Sequence, residues 1–265
     1  MSPPTRWAVA VKHGVDVNLT RADPTTGRID LARAPRKTSD FDQNAVEEAI
    51  RLREKYGGIV TVVTVGPPAA REALRDSLSL GADEAVLLSL PEGTATDSGG
   101  VARALTAYFR TPAGAFDLAL FGEGSTDHFS GTVGPRVAAL LAIPSLCHVR
   151  RLVLDGDSLR AFRDLEDRVE EIETVVPAVV SVGQEINTPR RPTFLSTLKA
   201  SKKEIRDLPV ATPGLAGDGG TGSVTVQEAR LPSIPRKRLR VPGADAAAIA
   251  QGLVQFLHDV GIDPA

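Results

Sequence analysis

The segment LFGEGSTDHFSGTVGPRVAALLAIP, residues 120–144, contains the densest group of residues that could bind a ligand. An apolar run ends at Phe121, and a loop of small and hydroxyl-bearing residues leads to a helix that opens near Pro135. The hydroxyl groups of this loop belong to Ser125, Thr126, Ser130 and Thr132. Accessible backbone N–H groups, hydroxyls and a helix N-terminus are the components of an anion site. An ordinary flexible loop with Thr132 capping the helix explains the spacing equally well.

Other motifs for nucleotide chemistry are less complete. The first apolar run continues into HGVDVN and lacks the G-x-G-x-x-G pattern of dinucleotide-binding dehydrogenases. The tripeptide at Ser98–Gly100 is similar to the pyrophosphate loop of ATP-cleaving synthetases. It follows the third strand instead of the first, however, and Val101 and Ala102 stand where an acidic residue and serine are expected. We therefore do not expect a dehydrogenase or a synthetase.

The remaining reactive side chains are scattered and suggest no catalytic centre. The histidines are His13, His128, His148 and His258. Their spacing matches no metal site, although His128 could touch a phosphate. Cys147 lies in an expected strand, where packing is a better explanation than nucleophilic attack. We predict no catalytic residue and no metal ligand.

The composition is that of an ordinary soluble protein. The 265 residues are 42% hydrophobic and 24% charged, with a formal net charge of −2, so no global field attracts nucleic acid. A single cysteine excludes an internal disulfide and fits a reducing compartment. No run is apolar for long enough to cross a bilayer, and Met1–Arg6 lack the core of a signal peptide. We expect a cytoplasmic protein without membrane insertion.

Apolar runs alternate with helical periodicity, which predicts an α/β fold with an open, mostly parallel, doubly wound sheet. The predicted strands are 7–13, 58–65, 84–90 and 116–121, and the predicted helices are 43–58, 68–83 and 97–110. Ligands of such sheets bind beyond the carboxyl ends of the strands. The loops expected to converge there are 12–16, 36–43, 65–69 and 122–134.

The pattern changes after residue 146. A hairpin turn is expected at Asp155–Gly156, and a buried strand at 178–183. We divide the chain into an α/β domain at 1–205, a Pro- and Gly-rich arm at 206–243 and a C-terminal helix region at 244–265. An arm that ends in an apolar helix indicates packing on another subunit.

Six segments together resemble one family, the β subunit of electron transfer flavoproteins, which includes the FixA proteins. They cover much of residues 7–205. The segments are VAVKHGVD (9–16), SDFDQNAVEEAIRLRE (39–54), VGPPAAREALRDSLSLGADEAV (65–86), the loop and helix at 122–144, RAFRDLEDRVEEIE (160–173) and NTPRRPTFLSTLKASKKEI (187–205).

The resemblance implies an electron carrier rather than an enzyme, in a heterodimer whose alpha subunit carries FAD. The β subunit of the family holds AMP or a second FAD. By position, the implied binding residues are Ala10, Ser39, Asp40, Phe41, Asp42, Val65, Gly122, Gly124, Ser125, Asp127, Ser130, Gly131, Thr132 and Val133. In the family, Ala10 and Val65 would face the adenine through backbone groups, whereas Asp127 and Thr132 would be among the residues around the phosphate.

The resemblance also implies partner contacts. Phe194 and Leu195 fall where the family presents an apolar anchor to dehydrogenases, and electrons would pass on to a membrane quinone oxidoreductase or another acceptor. The family signature R-x-x-[DE]-x-x-x-[EQ] and the neighbouring interdomain carboxylate are represented by Arg163, Asp164, Glu166 and Glu170.

Two departures from the family pattern leave the identity of the nucleotide undecided between AMP and FAD. Ser39-Asp40 replaces the usual Asn-Pro of the adenine loop, and Val133-Gly134-Pro135 is more similar to the electron-bifurcating, FixA-type branch than to the AMP type. The alternatives are an electron-bifurcating β subunit with its own FAD and, from another class, a stand-alone adenine-nucleotide sensor.

Overall fold

The computed structural model describes residues 5–94, 96–210, 223–224, 226–232 and 240–262. The chain divides into two compact units, Met1–Ala229 and Arg230–Ala265. The first unit contains the α/β sheet and every residue predicted to bind a nucleotide. The second contains the C-terminal helix.

The first unit alternates strands and helices along most of its length. Its strands are β1 (Arg6–Ala10), β2 (His13–Val15), β3 (Arg36–Thr38), β4 (Ile59–Gly66), β5 (Glu84–Ser89), β6 (Leu118–Gly122), β7 (Ser145–Asp155), β8 (Ser158–Asp164), β9 (Val169–Val175), β10 (Ala178–Val182) and β11 (Arg206–Pro209). Its helices are α1 (Asp40–Tyr56), α2 (Arg71–Leu80), α3 (Ser98–Phe109), α4 (Val133–Leu141) and α5 (Phe194–Lys202). Short 3₁₀ turns lie at Pro68–Ala70 and Gln184–Ile186.

Nine of these strands form one sheet in the order β11-β5-β4-β1-β6-β10-β7-β8-β9. The pairs from β11 to β7 are parallel, and β8 and β9 add an antiparallel hairpin. The open, mostly parallel sheet with a hairpin addition is therefore confirmed. The chain runs outward from β1 to β4 and β5, then returns to place β6 on the other side of β1. Such a reversal opens a crevice at the carboxyl ends of the central strands.

The two faces of the sheet are covered by different helices. In β1, for example, Val9 packs in the core beneath α1 and α2, whereas its neighbour Ala8 packs with α3 and α4. In β4, Val62 and Val63 divide between the faces in the same way. This alternation follows from the two-residue period of a strand, and burial on both faces explains why β4 is apolar almost throughout.

The first strand is shorter than predicted, because β1 ends at Ala10 and not at residue 13. The backbone N–H of Lys12 turns away from the sheet to donate to the Asp42 carboxylate, at 2.7 Å. His13 then enters the short β2 strand, which pairs with β3 outside the main sheet.

Two later boundaries also differ from the prediction. The hairpin turn is centred on Gly156-Asp157, one residue later than expected, because Asp155 still pairs with Ser158. Arg206–Pro209, which were assigned to the arm, instead form β11 beside β5. Arg206 is fixed there by a 2.8 Å ion pair to Glu84. The arm positions 211–222, 225 and 233–239 lie outside the described residues.

The second unit contains α6 (Ala246–Asp259). Asp245 caps this helix by accepting a hydrogen bond from the Ala248 N–H at 2.9 Å. Ile249, Leu253 and Val254 leave much of their surface exposed. Within the described part of the chain, none of the helices is both long and apolar enough to cross a membrane.

Candidate functional site

The first turn of α1 joins the ends of β1 and β6. Asp42 is buried, and its two carboxylate oxygens accept backbone N–H hydrogen bonds from Lys12 at 2.7 Å and Gly122 at 3.2 Å. A Cβ atom on residue 122 would collide with that carboxylate and with the Phe41 Cβ. Glycine at 122 is thus required by the close approach of α1, and the predicted convergence of loops 12–16, 36–43 and 122–134 is observed.

A cationic cluster lies on the solvent side of this junction. The Lys12 ammonium is 2.6 Å from Asp127 Oδ1, 3.2 Å from Ser125 Oγ and 3.3 Å from His128 Nδ1. Asp127 is almost fully buried, whereas 43% of the Lys12 side chain and 60% of the His128 side chain are exposed. The cluster therefore presents its positive and hydrogen-bonding groups to solvent and keeps its carboxylate inside.

The role of Asp127 follows from its partners. One Asp127 oxygen accepts from the Lys12 ammonium. The other accepts the Val15 N–H at 3.1 Å and lies 3.3 Å from His128 Nδ1. A carboxylate in this position would repel a phosphate, so direct contact with one is a poor explanation. Its contacts fit a second role better: it fixes the 12–15 segment and holds Lys12 in place.

The two buried carboxylates have opposite electrostatic properties. Burial raises the pKa of Asp42 to about 7, although the N–H hydrogen bonds from Lys12 and Gly122 act to lower it. Burial also acts to raise the pKa of Asp127, but hydrogen bonds from His128, Lys12 and Ser125 hold it well below its usual range. Asp127 is consequently a permanent anion at neutral pH, whereas Asp42 titrates near it.

The rest of the loop leads directly into α4. Thr132 is the N-cap residue, yet its side chain makes no capping hydrogen bond to the helix; its hydroxyl lies 3.5 Å from Ser130 Oγ instead. Thr132 therefore occupies the predicted cap position but does not cap the helix through its side chain. Gly131 has a positive φ of 62°, and Val133 begins α4. The helix N-terminus, with its partial positive charge, follows the cationic cluster along the chain.

The 39–41 segment lies against the same loop. The Asp40 backbone N–H donates to Thr126 Oγ1 at 3.2 Å, and Thr126 Oγ1 is 3.5 Å from Ser39 Oγ. The Asp40 carboxylate is paired with Lys37 at 2.8 Å. The Phe41 ring is 5.3 Å from the Phe129 ring, centroid to centroid.

Ala10 and Val65 both lie at the carboxyl edge of the sheet. Ala10 is the last residue of β1 and pairs with Val63 on one side and Phe121 on the other. Val65 is two residues beyond the last position at which β4 pairs with β1, and both residues are half-buried. Their backbone groups therefore border the crevice, as the family position implies. Gly124 also lies in the crevice loop, against the Phe129 ring.

Lys12 belongs to the site by position but was not among the predicted binding residues, whereas Thr126, His128 and Phe129 lie within the predicted loop 122–134. Lys12 could have been found, because it is the first charged residue after the apolar run of β1 and thus lies at the carboxyl edge. The position of the Phe129 ring depends on a left-handed backbone conformation, with φ of 46°, which no sequence pattern indicated.

The Ser98–Gly100 tripeptide has an ordinary structural role. It forms the first turn of α3, and Asp97 caps it by accepting the Gly100 N–H at 2.8 Å. The other Asp97 oxygen accepts the Ser223 N–H at 2.8 Å. These hydrogen bonds, that of Gly100 above all, lower the pKa of Asp97 to about 2. A carboxylate at this turn would repel pyrophosphate.

Phe194 and Leu195 open α5 and are 83% and 66% exposed. Thr193 and Ser196 form a capping box that fixes this helix start. The preceding segment is attached to α1, since Arg190 pairs with the buried Glu47 at 2.8 Å and with Glu54 at 2.7 Å. The apolar tip is thus exposed on a rigidly anchored helix.

The family signature residues lie on the added hairpin. Arg163 of β8 and Glu170 of β9 are directly opposite and pair at 2.8 Å. Asp164 forms a 3.1 Å ion pair with Arg150 of β7, and Glu166 lies in the turn between β8 and β9. Arg163 and Glu170 are consequently engaged with each other within the chain.

A cavity of about 310 Å³ lies elsewhere, at the amino-terminal edge of the sheet. Apolar side chains including Trp7, Tyr108 and Phe116 line it. It is far from the carboxyl ends of β1 and β6 and does not include the cationic cluster. The candidate site is therefore the open crevice at the carboxyl edge and not this cavity.

Residues 26–213 match the family model described as Electron transfer flavoprotein domain. The chain is 38% identical over 201 residues to a protein of Thermoanaerobacterium thermosaccharolyticum, with 76% of each chain covered. It is 35% identical over 235 residues to a Bacillus subtilis protein, covering 88% of this chain and 90% of that one. It is 36% identical over 205 residues to a Mycobacterium tuberculosis protein, with 76% of each covered.

Each of these three relatives is named Electron transfer flavoprotein subunit beta. The residues matched to the family model include β3 to β11 and the 122–134 loop, whereas β1 and Lys12 precede them. The chain therefore belongs to the electron transfer flavoprotein family, in the group of its beta subunits.

Proposed function

We propose that this chain is the beta subunit of a heterodimeric electron transfer flavoprotein that accepts electrons from dehydrogenases and passes them to a downstream acceptor. The family match supports the electron-transfer role, and the names of the relatives imply a companion subunit. FAD held mainly by that alpha subunit supplies the redox chemistry. The residues of this chain help to position and enclose the flavin and to dock the partner proteins. They form no covalent bonds with a substrate.

The single observation that carries the nucleotide-binding part is the convergence at the carboxyl edge. Asp42 joins β1 to β6, and the exposed Lys12 ammonium stands over the loop that leads into α4. A phosphate fits this arrangement, because a lysine, hydroxyls and a helix N-terminus all favour an anion. Lys12, Ser125, Ser130 and Thr132 would hold the phosphate of an adenine nucleotide, with Ala10 and Val65 bordering the base.

Two properties suggest how the chain would meet its partners. The exposed Phe194 and Leu195 give a small apolar contact, which suits a transient encounter with a dehydrogenase. The exposed apolar residues of α6 need a surface to cover them, and the alpha subunit is the proposed one. The carboxylates of the hairpin, Asp164 above all, are proposed to contact the alpha subunit as well.

We propose that the nucleotide bound by this subunit is AMP or a second FAD. An electron-bifurcating subunit with its own FAD is the second candidate, and Val133-Gly134-Pro135 is the observation that favours it. A count of flavins separates the two. AMP-type carriage gives one flavin per heterodimer, whereas bifurcation gives two.

Copurification tests the proposal. The chain is expressed with an alpha subunit from the same genome, purified through a tag on this chain, and its absorption spectrum recorded. We expect a yellow complex that releases AMP or FAD from this subunit on denaturation. A colourless protein that binds AMP without a flavin-containing partner would favour the stand-alone sensor, and a colourless protein without nucleotide would exclude both.

A further inference from the structure

The Phe129 side chain is held in an unusual conformation. Its φ of 46° lies in the left-handed region, where a bulky residue is seldom found without a structural or functional cause. Its backbone N–H donates to the Ser125 carbonyl at 2.9 Å, which closes a tight turn around the cationic cluster. The strained backbone directs a large apolar ring to the mouth of a polar crevice.

Two neighbours fix the position of that ring. A Cβ atom at residue 124 would be 2.6 Å from Phe129 Cδ2, so the ring lies flat against a backbone that only glycine leaves free. The Phe41 ring is 5.3 Å away, with the two planes at 53°, and supports it from the side of α1. Gly124 and Phe41 thus hold the ring in one orientation.

Phe129 as a whole residue is nevertheless 55% exposed. A phenyl group that is packed on one side and open on the other exposes apolar surface to water, which is unfavourable without a ligand. Its chain neighbour His128 lies 3.3 Å from the Lys12 ammonium, so Phe129 directly follows in sequence a residue of the cluster proposed to border the phosphate.

We propose that the exposed face of Phe129, supported by Phe41, is a stacking platform for the adenine ring of the bound nucleotide. An aromatic ring beside a phosphate-binding cation matches the two ends of a nucleotide, one planar and apolar, the other anionic. Stacking on an aromatic side chain contributes substantially to the binding of a base. This inference rests on the proposed nucleotide site and adds a residue that determines preference for a base.

The test compares a ligand that carries the base with one that lacks it. Binding of AMP and of ribose 5-phosphate to the full-length chain is measured by titration calorimetry for wild type, Phe129→Leu and Phe129→Tyr. Leucine keeps an apolar side chain but removes the planar aromatic face, whereas tyrosine keeps the planar face. Phe194→Leu, a change at an exposed phenylalanine outside the crevice, is the matched control.

We expect Phe129→Leu to weaken AMP binding about tenfold and to leave ribose 5-phosphate binding unchanged. Phe129→Tyr and Phe194→Leu should bind both ligands as wild type does. Equal losses for both ligands in Phe129→Leu would show that the residue only shapes the loop, and this would overturn the inference.

Unchanged or tighter AMP binding by Phe129→Leu would overturn it too, because the ring would then be neutral or an obstruction. In both cases the proposed nucleotide site survives, since the wild type still binds AMP. If the wild type binds neither ligand, the nucleotide site itself is refuted and the platform with it.

Discussion

Asp42 accepts a hydrogen bond from the backbone N–H of Lys12 at 2.7 Å, and this contact joins the first turn of α1 to the end of β1. The same carboxylate reaches the Gly122 N–H at the end of β6. One buried side chain thereby determines where three segments of the crevice meet.

Asp42 should make stability depend on pH. Burial raises its pKa to about 7 in the folded chain, far above the value in an unfolded chain. The folded state then binds the proton more tightly, so this residue's contribution to the free energy of unfolding falls as pH rises from about 4 to about 7. Urea unfolding measures the free energy of unfolding of wild type and of Asp42→Asn at each pH. We expect the wild-type value minus the Asp42→Asn value to decrease over that pH window and to level off above it. A difference that is constant or grows with pH would contradict the assignment.

Lys12→Met should weaken nucleotide binding while preserving the fold. The ammonium is the cation most directly available to a phosphate, and a charge-assisted hydrogen bond contributes about 1.5–3 kcal/mol, or at least about tenfold in affinity. The measurement is AMP titration, with Lys199→Met on α5 as the control that removes an equivalent charge. Equal affinities in the two variants would show that Lys12 does not contact the phosphate.

Arg190→Met should loosen the segment before α5. It leaves the buried Glu47 with Arg51 and the backbone N–H of residue 190 as partners, and we expect a loss of about 1–3 kcal/mol of unfolding free energy. Amide hydrogen exchange over 187–202 should become faster. Arg160→Met, which breaks only an exposed pair to Glu171, should change stability by less than about 0.5 kcal/mol. Similar effects of both changes would exclude an anchoring role for Arg190.

Replacing Phe194 and Leu195 together by serine should leave stability within about 0.5 kcal/mol of wild type, since both side chains are exposed. Under the proposed function, the rate of electron transfer from a dehydrogenase should nevertheless fall about tenfold or more, because an apolar anchor is lost. Reduction of the flavin followed by absorbance measures this. Val169→Ser, at an exposed apolar site on the hairpin, should have no effect on the rate.

Removing residues 244–265 should abolish copurification with the alpha subunit. The apolar side chains of α6 are the part of the second unit that most needs a partner surface. Tagged full-length and shortened chains, each coexpressed with the alpha subunit, are compared by the flavin content of the purified material. Equal flavin content would mean that α6 is not part of the interface.

The strand and helix order followed from the sequence because the alternation of β-branched apolar runs with amphipathic segments is strong, as in β4 and α2. The failures arise from tertiary contacts. β1 ends early because Asp42 captures the Lys12 N–H, a contact between residues 30 positions apart that periodicity cannot reveal. β11 was missed because Arg206–Pro209 has little apolar character and is held at the sheet edge by ion pairs to Glu84 and Arg71.

The candidate site was foreseen in position but not in detail. The glycines and hydroxyls of the 122–134 loop led to the prediction of an anion site there. The inward direction of the Asp127 carboxylate, its pairing with Lys12 and the orientation of Phe129 depend on tertiary contacts between the ends of β1 and β6. Residue types therefore predicted which loop could bind a ligand, and only the folded loop indicates how its side chains are arranged.

Native mass spectrometry of the complex purified through this chain gives the decisive test of nucleotide binding by this subunit. We expect a heterodimer that carries one FAD and one adenine nucleotide, and loss of the nucleotide alone from the Lys12→Met complex. A heterodimer that retains its nucleotide in full when Lys12 is replaced, or a chain that purifies alone without any nucleotide, would contradict it.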